Sequence, residues 1–201
     1  MMKQLRDWFT RPRVDLTAFS SSQVASKIWL VEHLEECLIP FQAPDKGYRI
    51  WILGGWYGIT NFIMRCRANV PVDYVRCIDR DPTCESIADR INKLWEWQAW
   101  QFKAQTADAN NLVYDVAEQP HIVINTSVEH MDDIEWYHRI PGNTICCFQG
   151  SDLSHDQHVS VVQGVTQLKE LLPLREIWYE GECEFTYPDS SFKRSMIIGM
   201  K

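Results

Sequence analysis

A chain of 201 residues with 45% hydrophobic content has the length and bulk of one globular domain, or of one domain with a small appendage, which excludes a disordered class. Twenty Lys and Arg against 27 Asp and Glu leave a net charge of −7, which argues against a non-specific grip on a polyanion. Seven scattered cysteines with no CxxC pair point to buried reduced thiols, not to a disulfide frame or zinc site.

Residues 1–19 are irregular, with Pro12 and several charges, and read as a strap or lid. Ser20, Ser21 and Ser22 are suited to capping a helix that runs to about Cys37, with Val24, Ile28, Leu30, Val31 and Leu34 on its apolar side. Pro40, Pro44 and Gly47 end it, and residues 49–53 form a first strand. A glycine turn and a helix over 59–68 follow, then a strand over 74–78. Pro82 opens the next helix, over about 83–94.

Trp95, Trp97 and Trp100 come next; alternation hints at extended structure there, and both a base-stacking platform and a packed helix end fit. Strands are expected at 102–106, 121–125 and 144–149, the last after Pro141-Gly142-Asn143. A helix over about 161–172 leads to an antiparallel pair, 176–184 and 194–200, joined through Pro188-Asp189-Ser190. The alternation predicts an α/β fold: a mostly parallel seven-stranded sheet with an antiparallel C-terminal strand pair and helices on both faces. Residues 1–47 would be a helical cap and 48–201 the main domain.

The most informative segment is Ile50-Trp51-Ile52-Leu53-Gly54-Gly55-Trp56-Tyr57-Gly58, followed 21 residues later by Asp79. An apolar run that stops at clustered glycines reads as a buried strand entering a tight turn. Glycine allows the backbone to approach a ligand closely. An acid ending the next strand is where such folds grip a ribose diol. Together these features point to a nucleoside-containing cofactor.

Over roughly residues 48–200 the chain resembles the class I S-adenosylmethionine-dependent methyltransferases. The order of motifs carries the resemblance: the glycine turn, Asp79, Asp108 after the third strand, and Ser127-Val128-Glu129-His130-Met131 after the fourth. The Pro-Gly-Asn turn before strand five and the closing antiparallel pair also match. The strings GGWYG and NTSxEHM resemble those of uncharacterised phage-encoded methyltransferases.

The resemblance implies a Rossmann-like methyltransferase fold, S-adenosylmethionine as cofactor, and a role for each matching residue. Asp79 would accept from both ribose hydroxyls, a charge-assisted arrangement. Asp108 and Ala109 would border the adenine. Gly54, Gly55 and Gly58 would admit the methionine portion, with Asn125 and backbone carbonyls holding it. Trp56, Tyr57, Arg80 and Ser127 complete the cofactor-binding set.

Two departures stand out: no acid near Ile52, and tryptophan at position 56 where glycine is usual. The absence of an Asn-Pro-Pro-Tyr motif counts against amino methylation of DNA bases. A small-molecule acceptor is expected, with no sequence-specific nucleic acid and no membrane partner.

Methyl transfer from a sulfonium needs alignment of the acceptor, exclusion of water and, where required, a proton acceptor. Glu129, His130 and His158 are the catalytic candidates, because both segments leave the sheet on its ligand-binding rim. Glu129 as a helix cap and His130 packed on the sheet fit as well. In Ser151–His158, an acceptor-binding loop, a solvated loop and a metal site built on His155 and His158 all remain open, and no metal is assigned. Ser26, Lys27 and Trp29 would approach the site if the N-terminal helix acts as a lid; plain packing is the alternative. His33, His121 and His138 read as structural or surface groups. Arg65 with Arg67, or Lys193 with Arg194, are small candidates for a local basic patch, and solvated surface charge is the favoured reading.

The N-terminus lacks a signal-peptide core and no apolar run has membrane-spanning length, so a cytoplasmic location is expected. Rival readings are cleavage or cyclisation of the cofactor on the same fold, and a non-catalytic assembly protein using the tryptophan cluster.

Overall fold

The computed structural model describes residues 13–97, 100–154, 156, 158–187 and 190–201. Seven strands form one sheet: β1 (Tyr48–Leu53), β2 (Val72–Asp79), β3 (Phe102–Thr106), β4 (Ile122–Asn125), β5 (Ile145–Ser151), β6 (Glu176–Tyr187) and β7 (Ser190–Met200). Their order is β3-β2-β1-β4-β5-β7-β6. The first five are parallel, whereas β7 runs antiparallel to β5 and β6 antiparallel to β7. This is the architecture expected from the alternating pattern.

Both faces of the sheet are covered, which is why β1 and β4 read as unbroken apolar runs. On one face Ile50, Ile52, Val75, Cys77, Ile122 and Ile124 pack against α1 (Ser21–Leu38), α2 (Ile59–Arg67) and α3 (Pro82–Ile91). On the other, Trp51, Leu53, Val123, Cys146 and Phe148 pack against α5 (Glu135–Arg139) and α6 (Val165–Leu171). Ser20 Oγ accepts from the Gln23 N–H at the start of α1, and Asp81 caps α3 with Pro82 in its first turn. Among the described residues, no helix is long and apolar enough to cross a membrane.

Four expectations need correction. The helix expected over 83–94 stops at Ile91, because the Asn92 side chain takes the Ala88 and Gly58 carbonyls. The separate turn α4 (Lys93–Trp97) follows, so Trp95 is helical and not extended; its ring meets Phe62 edge-on at 5.8 Å. The Trp97 side chain lies outside the described residues. The helix expected over 161–172 begins only at Val165, since the Val162 N–H donates to the Ser151 carbonyl and is tied to the end of β5. The terminal strands reach further than 176–184 and 194–200, because paired residues continue out to Tyr187 and Ser190. Residues 1–12 of the expected strap, and Pro188-Asp189 of the expected turn, lie outside the described residues.

Candidate functional site

The turn after β1 is held by a backbone contact and packed so closely that Gly55 has no room for a side chain. The Gly55 N–H donates to the Ile78 carbonyl at 3.0 Å, and a Cβ on Gly55 would sit 2.4 Å from Cys77 Sγ. Gly54 and Gly58 adopt φ of +59° and +68°. Trp56, where the resemblance leads one to expect glycine, also takes the left-handed conformation, with φ of 49°. The turn geometry is thus kept at some conformational cost.

Asp79 closes the turn from the neighbouring strand. Its Oδ2 accepts from the Trp56 N–H at 2.8 Å and its Oδ1 from the Asp81 N–H at 3.0 Å. Asn92, which sequence reasoning missed, supports the far side. Fully buried, it accepts from Asn61 Nδ2 and donates to the Gly58 carbonyl. An asparagine at a helix end carries no signal of such a role.

In the strand order, β1 neighbours β2 on one side and β4 on the other, so the chain reverses its direction of winding between β1 and β4. Open α/β sheets bind ligands at the carboxyl ends of such strands. A cavity of about 50 Å³ lies there, lined by Gly54, Gly55 and Trp56 after β1 and by Thr126, Ser127 and His130 after β4. Gln23 and Lys27 of α1 and Arg194 of β7 complete the wall.

Buried charge lies on this wall, at Lys27 and Arg194, and behind it, at Glu129. Lys27, Glu129 and Arg194 are 8%, 0% and 5% exposed. Arg194 Nη1 lies 3.4 Å from Glu129 Oε1 and donates to the Thr126 carbonyl at 3.1 Å. Burial, and next the Arg194 charge, pull the Lys27 ammonium down to about 7, with Glu129 acting in the opposite sense. Arg194 is therefore not the solvated surface charge expected. It shares strand parity with Phe192, Met196 and Ile198, which point into the protein, while Lys193 is exposed.

The structure brings Glu129, His130 and His158 together. The two imidazoles meet edge-on with centroids 4.5 Å apart, and one donor atom from each of the three residues falls within 4.8 Å of the others. His158 Nδ1 lies 2.6 Å from the Leu153 carbonyl. His155, the other half of the HxxH pair, lies outside the described residues. Donor spacing alone would suit a metal ion, but Arg194 and Lys27 already place positive charge beside Glu129.

Other candidates hold the framework. Asp108 caps a short turn, accepting from the Asn110 N–H at 2.9 Å, and Ala109 beside it is buried. Arg80 pairs with Asp132 at 3.0 Å on the surface. The Tyr57 hydroxyl accepts from the Asp15 N–H, tying residues before α1 to the turn. Asn125 Oδ1 accepts from the Ser127 N–H, and Ser127 Oγ donates to the Gly54 carbonyl at 3.1 Å, so the two turns at the cavity are joined.

Trp29 lies away from the cavity wall, its Nε1 donating to the Tyr179 hydroxyl, and the Ser26 carbonyl accepts from Gln149. His33 stacks on Tyr179 and pairs with Glu36; His121 accepts from the Arg49 N–H; His138 is exposed.

Solved structures share the fold that carries this cavity. The CurJ carbon methyltransferase superposes with a TM-score of 0.61 at 13% identity, over 93% of this chain and 59% of that one. The fold is that of the Rossmann-like methyltransferases. The YcgJ protein from Bacillus subtilis superposes with a TM-score of 0.64 at 11% identity, over 86% of this chain and 98% of that one. Magnesium protoporphyrin IX methyltransferase from Synechocystis PCC 6803, solved with bound S-adenosylmethionine, gives 0.58 at 11% identity, over 98% and 90%. No protein-family model matches the sequence, and no curated protein does so.

Proposed function

We propose that the protein is an S-adenosylmethionine-dependent methyltransferase acting on a small-molecule acceptor. The observation that carries this reading is the position of the cavity, between the glycine turn after β1 and the Thr126-Ser127 turn after β4. Methyltransferase names among the fold neighbours, one of them bound to S-adenosylmethionine, support it.

The residues present suit the cofactor. A Cβ on Gly54 would come within 3.0 Å of Ser127 Cβ and 3.2 Å of Met131 Cε, filling the gap between the two turns. Gly54, Gly55 and Asp79 would hold the cofactor, with Asp108 and Ala109 at its adenine end. When bound, it supplies an electrophilic methyl group on sulfur.

The protein's own part is placement and proton handling. His130, on the cavity wall, is the group positioned to take a proton from the acceptor. His158 fixes the plane of His130 through their edge-on contact, and Glu129 anchors the segment through its pair with Arg194. Gln23 and Lys27 roof the cavity from α1, which gives residues 13–47 the role of a cap over residues 48–201.

The test is calorimetric titration with S-adenosylmethionine of the wild type and of Asp79→Ala. Binding by the wild type, weakened by roughly tenfold or more in the variant, is expected from the loss of a charge-assisted contact. A wild type that binds no S-adenosylmethionine overturns the reading.

A further inference from the structure

The cavity wall holds two buried cations, Lys27 and Arg194, and one buried carboxylate, Glu129, lies behind it against Arg194. Lys27 enters from α1, and among the described residues its Nζ donates to neutral oxygens of Gln23, to Oε1 at 2.8 Å and to the carbonyl at 3.5 Å. Arg194 enters from β7; its Nη1 serves Thr126 and Glu129, while its Nε is buried with no hydrogen-bond partner among the described residues. The charged and titratable groups facing Lys27 are Arg194 of β7 and Glu129 after β4, with His130 on the same wall. With Lys27 protonated, the three buried charges sum to one positive charge in excess. A buried cation with unused donors is costly until a counter-charge completes it.

We propose that Lys27 and Arg194 form a binding site for a carboxylate beside the glycine turn. A monoanion balances the excess charge. The guanidinium edge suits a planar carboxylate. A volume of about 50 Å³ has room for on the order of three or four water-sized atoms, enough for a carboxylate group. A metal ion on Glu129, His130 and His158 would add to the positive charge that a carboxylate offsets. The inference rests on reading this cavity as the reaction site and specifies what that site takes. The carboxylate belongs either to the amino-acid end of the cofactor or to an acidic acceptor.

The two sources separate in one set of titrations on wild type and Lys27→Met, a substitution that replaces a buried ammonium with an apolar chain of similar length. The probes are S-adenosylhomocysteine, methylthioadenosine (which lacks the amino-acid end), and acetate and benzoate with and without S-adenosylhomocysteine. A loss of roughly tenfold or more for S-adenosylhomocysteine with methylthioadenosine unchanged assigns the site to the cofactor. Unchanged S-adenosylhomocysteine with loss of acetate or benzoate binding assigns it to the acceptor. In either case binding at pH 8 takes up a proton in the wild type, seen as heat that depends on the buffer, and the variant lacks this uptake. Identical affinities and heats in the two proteins, or equal weakening of both nucleosides, overturn the site. A wild type that binds neither nucleoside refutes the methyltransferase reading separately, since acetate and benzoate without nucleoside still test the anion site.

Discussion

Arg194 Nη1 stands 3.4 Å from Glu129 Oε1 with both side chains removed from solvent, so a charge on the last strand is held by a charge in the turn after β4. The pair ties the antiparallel end of the sheet to the cavity. Arg194→Met would leave the buried Glu129 carboxylate with Lys27 as the facing cation and without its closer partner, and should cost up to about 3–5 kcal/mol of stability. Adding Glu129→Leu should recover most of that loss, because removing both charges ends the desolvation penalty. Urea unfolding of the single and double variants checks both outcomes.

The glycine turn makes a second claim on stability. Gly58 has φ of +68°, and a Cβ there would lie 2.6 Å from Asn92 Nδ2 and 3.0 Å from Phe102 Cζ. Gly58→Ala should destabilise by about 1–3 kcal/mol from the backbone conformation, with crowding against Asn92 and Phe102 adding to it. Asn92→Ala should cost about 1–3 kcal/mol through the polar partners it strands, Asn61 among them. Denaturation midpoints measure both effects.

Lys27 predicts a pH dependence of defined sign. Its folded value of about 7 lies below the ordinary 10.5, so between these limits the unfolded chain binds a proton that the folded chain does not. Stability from this group therefore rises with pH across that window, and its penalty is complete below about 7. Urea midpoints of wild type and Lys27→Met at pH 6.5 and pH 9 should show the variant gaining most at the lower pH.

All seven cysteines are free, and their environments differ. Cys66 is exposed, whereas burial pushes the Cys146 thiol up to about 12 and raises Cys77, Cys84 and Cys147 as well. A thiol reagent at pH 8 should label Cys66 in a fast phase that Cys66→Ser removes. Cys77, Cys84, Cys146 and Cys147 should react only on unfolding. Fast labelling of any of those four would contradict the packing.

Much of the fold was legible because its signals are local. The run over 50–53 stops at glycines, Ser20 and Asp81 are residues that cap helices, and apolar stretches recur with turn residues between them. The helix ends were not, since Asn92 stops α3 through a carbonyl 34 positions away and Val162 is held outside the helix by its hydrogen bond to the Ser151 carbonyl. Such contacts leave no mark on neighbouring residues in the chain.

The sequence by itself determined the alternation of strands and helices, the glycine turn, and the presence of Asp79 at the end of β2. Composition could not show that Lys27, Glu129 and Arg194 are buried together, because charged residues belong at the surface by default. Two faint traces were there: Lys27 shares a helical stripe with Val31, Leu34 and Leu38, and Arg194 shares strand parity with Phe192 and Met196. Only the tertiary structure turned them into one site. Pairing of β7 with β5, and packing of α1 on the sheet, bring residues from distant parts of the chain to one wall, where burial gives charge its chemical weight.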